Sequence, residues 1–153
     1  MLRRPILCLL TLGTTLALWL LTSASSSRAQ DEAPPSEIRS RTQAFLEDVG
    51  AGDVDDAVDE LLDEGPLARD AAHVAQLKQG IRRNAERYGT FLRAEAVRIE
   101  RVGRSVVRCV YFYHCADYPV VWRLVFYRAE ESGSWKVISV RYDLDYDALP
   151  ANT

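Results

Sequence analysis

The sequence predicts an α+β protein in which three N-terminal helices pack on a curved four-stranded antiparallel sheet. Two patterns predict it. From Ser36 to Tyr88 the apolar residues recur at helical spacing, whereas from Phe91 to Tyr142 they alternate with the two-residue period of strands. A block of helices followed by a block of strands is the order of an α+β domain, with the helices on one face of the sheet.

In chain order, Arg3 and Arg4 precede an apolar run from Ile6 to Leu21, followed by small residues and Ser27-Arg28-Ala29. These are the charged, apolar and small-x-small regions of an export signal. The run is shorter than the roughly 20 apolar residues a spanning helix needs. Residues 1–29 are therefore expected to be removed on export, with membrane contact only through this segment if it stays uncleaved. Residues 30–35 read as a linker and 36–149 as one domain. The expected location is periplasmic or secreted.

Ser36 is expected to cap a first helix running to Val49, with Ile38, Thr42, Phe45, Leu46 and Val49 on its inner stripe and Gly50 as its stop. Asp53 caps a second helix whose stripe is Val54, Ala57, Val58, Leu61 and Leu62, ended by Gly65-Pro66. A third runs from about Asp70 to Tyr88, inner face Val74, Leu77, Ile81, Ala85 and Tyr88, closed by Gly89.

The strands follow. Phe91–Val102 breaks its alternation between Ala96 and Val97, which points to a bulge. Gly103-Arg104 turns into Val106–Cys115, and Asp117-Tyr118-Pro119 turns into Val120–Ala129. A polar loop, Glu131-Ser132-Gly133-Ser134, leads to Trp135–Tyr142. Alternation puts Val107, Cys109, Tyr111, Tyr113 and Cys115 on one face of the central strand and Val106, Arg108, Val110, Phe112 and His114 on the other. In its partner, Val120, Trp122, Leu124 and Phe126 form an apolar row, and Val121, Arg123, Val125 and Tyr127 a mixed one.

Charge is uneven: 31–70 holds 13 acidic against 3 basic residues, and 71–142 holds 6 acidic against 13 basic. An acidic helical layer near a basic sheet and third helix accounts for this, because patterned charge usually marks solvated or paired faces. The basic residues are spread singly, so no nucleic-acid partner is expected. Cys109 and Cys115 stand six residues apart on one extended strand, roughly 20 Å at strand rise, too far for the 4.4–6.8 Å of a disulfide. Free thiols are expected.

No metal or cofactor is expected. His73 and His114 have no ligand spacing, and adjacent residues of His114-Cys115-Ala116-Asp117 point to opposite faces of a strand. Asp143, Asp145 and Asp147 lack the glycine and glutamate of a calcium loop. There is no glycine-rich phosphate loop and no serine nucleophile elbow.

A helix ending in Phe45-Leu46, a Gly52-Asp53 turn into a helix with Ala57 and Leu61-Leu62, a third helix, and Trp122…Tyr127 with Gly133-Ser134-Trp135-Lys136-Val137 together resemble the nuclear transport factor two-like superfamily. The resemblance spans Ser36–Asp147 and implies a cystatin-like cone, a fold that also houses ketosteroid isomerases, scytalone dehydratase and exported bacterial proteins. That family inserts a small hairpin between its second and third helices. Asp63–Arg69 is too short for one, which implies a four-stranded sheet and a more open pocket. Homodimerisation through sheet faces is also implied.

An isomerase-type site needs a carboxylate base facing an apolar cavity opposed by acidic donors. Tyr111, Tyr113 and Tyr127 are candidate donors and Arg123 a candidate anion holder, but the central strands carry no Asp or Glu. The competing account makes the tyrosines core residues with satisfied hydroxyls. The preferred reading is therefore a non-catalytic module that binds a small molecule, a protein partner or another copy of itself through the open sheet face around Tyr111, Tyr113, Arg123 and Tyr127 or through the cone pocket. Its candidate ligand-binding residues are Tyr111, Tyr113, His114, Trp122, Arg123 and Tyr127, with no catalytic residue assigned. The alternative is a pocket enzyme of the isomerase or dehydratase type.

Overall fold

The computed structural model describes residues 35–63 and 65–149. The expected export signal, 1–29, and all of the linker except Pro35 lie outside the described residues. The described chain is α+β, with three α-helices and a four-stranded antiparallel sheet. The helices are α1 (Ser36–Ala51), α2 (Val54–Leu62) and α3 (Ala71–Tyr88), with a single 3₁₀ turn at Leu67–Arg69 before α3. The strands β1 (Phe91–Val102), β2 (Val106–Cys115), β3 (Val120–Tyr127) and β4 (Lys136–Asp143) pair in sequence order.

The predicted stripes of α1 and α2 are buried in full. On α3, Leu77, Ile81 and Tyr88 are buried, but Val74 is only half-buried and Ala85 is exposed. Gly80 takes the place of a side chain there. A Cβ on it would lie 2.1 Å from the Tyr142 hydroxyl oxygen, so the missing methyl lets β4 approach the helix.

Helix ends differ from expectation in two places. Ser36 lies inside the first turn of α1 and makes no side-chain cap; the Pro35 carbonyl accepts from the Ile38 amide at 3.1 Å instead. The helix also passes through Gly50 and stops at Gly52, which is left-handed at φ 98°. The Gly52 amide donates to the Val49 carbonyl (3.2 Å) and the Asp53 amide to the Asp48 carbonyl (3.0 Å), the paired bonds that satisfy a helix end around a left-handed residue. Asp53 precedes α2 without a side-chain cap, whereas Asp70 accepts the His73 amide at 3.0 Å at the start of α3.

β1 and β2 match their expected bounds, and register shifts fall at Phe91/Arg93 and Ala96/Arg98. The second is the bulge that the broken alternation predicts. β3 ends two residues earlier than expected, at Tyr127, and β4 is displaced by one residue. A third shift between Val125 and Phe126 leaves Ile138 outside the β3–β4 register.

One core joins the helical stripes to the Val107–Cys115 odd-numbered row of β2 and the Val120–Phe126 even-numbered row of β3. The acidic α2 meets basic α3 through Lys78 on Asp59 at 2.6 Å and Arg82 on Asp55.

Candidate functional site

The side-chain period of β2 and β3 divides the six sequence-predicted residues between two faces. Tyr111, Tyr113 and Trp122 lie on the face covered by the helices and are buried. His114, Arg123 and Tyr127 lie on the opposite, outer face. They cannot form the single surface that the sequence reading drew around Tyr111, Tyr113, Arg123 and Tyr127, because neighbouring residues of a strand point to opposite sides.

On the inner face Tyr111 stands opposite Trp122, and Tyr113 opposite Val120. Trp122 meets the Phe45 ring of α1 edge-on at 5.2 Å and lies 4.9 Å from Tyr142. Tyr113 stacks on Phe91 at 4.4 Å. The gap left between Val49, Ile81, Tyr88, Tyr113 and Trp122 is about 20 Å³, room for about one water molecule. Thr42 is the one buried polar residue of the described core, and its hydroxyl donates to the Ile38 carbonyl at 2.8 Å. The Tyr111 hydroxyl and the Trp122 indole nitrogen are buried without a hydrogen-bond partner, so the expectation of satisfied tyrosine hydroxyls fails at Tyr111.

Burial dominates the chemistry of this interior. It pushes the Tyr111 hydroxyl up to about 12, reinforced by Cys109 and opposed by Arg39. It raises Tyr113 further. The Cys109 thiol is also pushed up to about 12 by burial, against the hydrogen bond from Thr42 and the charge of Arg39. All three stay protonated at neutral pH, so each has a proton to donate. No carboxylate or imidazole stands among the buried residues described, so this interior offers no base to face the tyrosines. Both thiols are free and buried.

The outer face is different in kind. His114 Nε2 lies 3.2 Å from Glu95 on β1 and its ring is 5.7 Å from Phe112. Arg123 pairs with Asp143 and donates to the Asp145 carbonyl at 3.0 Å. Glu100 takes both Arg98, at 2.7 Å, and Arg108. These arginines and Arg141 ring a hollow of about 470 Å³ with Val110 and Val125 in its lining. Tyr127 borders a second hollow of about 400 Å³ with Lys136 and Ile138. Arg98, Arg108 and Arg141 are absent from the sequence-derived site. They lie singly on β1, β2 and β4, and only the strand register brings them to one place.

No protein family, curated protein or solved structure matches the chain. Among the described residues no group of His, Cys, Asp and Glu could hold a metal ion, and no helix is long and apolar enough to cross a membrane.

Proposed function

We propose that the chain is an exported, non-catalytic binding module of the nuclear transport factor two-like class. It engages a small molecule or a protein partner, a second copy included, through the outer face of a curved sheet. The element order supports the class: three helices, then a long bulged strand and three more in sequence order. A lone 3₁₀ turn occupies the place of that class's extra hairpin.

The observation that carries the binding reading is the contrast in space. The outer hollow of about 470 Å³ falls within the roughly 300–1,000 Å³ of small-molecule pockets, whereas the interior gap is about 20 Å³. The test is a thermal-shift screen of the full chain against a metabolite library. Hits are repeated on Arg123→Ala and on Trp122→Phe. Hits lost with Arg123→Ala and kept with Trp122→Phe support the outer face. The reverse pattern places binding in the interior and contradicts the proposal.

A further inference from the structure

We infer that the hollow over Val110 and Val125 takes an amphipathic small-molecule anion whose carboxylate or phosphate is held by Arg141 with Arg123. The inference rests on the reading of the outer face as the binding surface. Its first support is a cross-strand pair of like charge. Arg123 and Arg141 are register partners on β3 and β4, and like charges directly opposed destabilise a sheet. Arg123 is answered by Asp143 and the Asp145 carbonyl. Arg141 is exposed and makes no hydrogen bond or ion pair among the described residues.

The second support is the charge surplus around it. Two carboxylates, Glu100 and Asp143, serve four guanidinium groups: Arg98 and Arg108 share the first, and Arg123 holds the second. A bound anion would supply the missing acceptor, and guanidinium groups suit carboxylate and phosphate because their planar fork can donate two parallel bonds. Arg123 already shows this preference, since it holds a carboxylate and a carbonyl of the acidic segment that follows β4.

The third support is the lining beneath the charge. Val110 stands in register with Arg123, and Val125 with Ser139. Both valines are half-buried and offer an apolar seat one strand-width from the cations. A ligand with an anionic head and a short hydrocarbon body satisfies both parts.

The experiment titrates the full chain with octanoate, octyl phosphate, inorganic phosphate and octanol, read by amide chemical shifts. Saturable binding of octanoate or octyl phosphate is expected, with shifts centred on Val110, Arg123, Val125 and Arg141. Which of the two binds more tightly identifies the head group. Arg141→Ala should weaken the interaction by about tenfold or more, the loss expected for a charge-assisted contact, while Arg104→Ala in the β1–β2 turn leaves it unchanged. Inorganic phosphate should bind more weakly than octyl phosphate, and octanol should not saturate. Equal binding of octanol, indifference to Arg141→Ala, or no saturable binding overturns the inference. The wider reading survives that failure if library hits or self-association still depend on Arg123. Shifts confined to Tyr113 and Trp122 overturn both.

Discussion

Arg41 sits on α1, yet its guanidinium serves carbonyls of other segments. It donates to Trp135 at 2.9 Å just before β4, to Leu61 at 2.6 Å and to Glu60 at 3.4 Å. A cation at the last carbonyls of α2 also suits the negative end of that helix. Removing it leaves part-buried carbonyls without a donor, so Arg41→Ala should cost about 2–3 kcal/mol in urea unfolding. Arg41→Lys should recover less than half, because one ammonium cannot span three acceptors. Nothing in the sequence separates Arg41 from a solvated helix arginine, since its role depends on where α2 and β4 end. Cys109 and Tyr111 give a second residue-scale prediction. Their ordinary values of 9.0 and 10.0 rise to about 12 in the fold, so the unfolded chain releases these protons first. Stability should be full below about pH 9 and fall as pH rises towards 12, at about 1.4 kcal/mol per pH unit for each group between its two values. Denaturation midpoints across pH 7–11, compared with Cys109→Ala, check this (the variant should show a shallower fall).

At the level of elements, two glycines exchange the roles that spacing suggests. Gly50 looks like a helix stop but lies inside α1, where its missing side chain makes room for Phe91, since a Cβ there would lie 2.2 Å from that ring. Gly52 ends the helix at φ 98° with open space around it. Gly50→Ala should therefore cost about 1–3 kcal/mol through overpacking and be rescued by Phe91→Ala. Gly52→Ala should cost about 1 kcal/mol, the left-handed penalty, with no rescue by Phe91→Ala. Thermal unfolding of the four variants separates the cases. The elements themselves were readable because apolar period and turn residues are local signals: the inner stripes of α1 and α2, the bulge near Val97 and the limits of β1 and β2 all follow from them. The register shift between Val125 and Phe126 is not local. It depends on how β4 docks, and it decides that Arg141 faces Arg123.

For the whole molecule, the fold sorts one strand pair into two surfaces with different chemistry. The inner face joins aromatic rings to three helices and leaves almost no space. The outer face keeps its cations beside a hollow. Alternation along β2 and β3 made the sorting legible in principle, with Tyr111 and Tyr113 in one row and Arg123 and Tyr127 in a different one. The candidate site nevertheless draws on both rows, because its aromatic and cationic residues share a binding chemistry and differ only in the face they occupy. Which row the helices cover was not legible, since both rows carry apolar residues and the choice depends on long-range packing. Hydroxyl-radical footprinting of the full chain tests this division most directly. Tyr127, 40% exposed, should oxidise readily, while Tyr111, Tyr113 and Trp122, at 1%, 7% and 3%, should react as slowly as Trp135 at 2%. Oxidation of Tyr111 and Tyr113 at the rate of Tyr127 would contradict the assignment of faces and the outer binding surface with it.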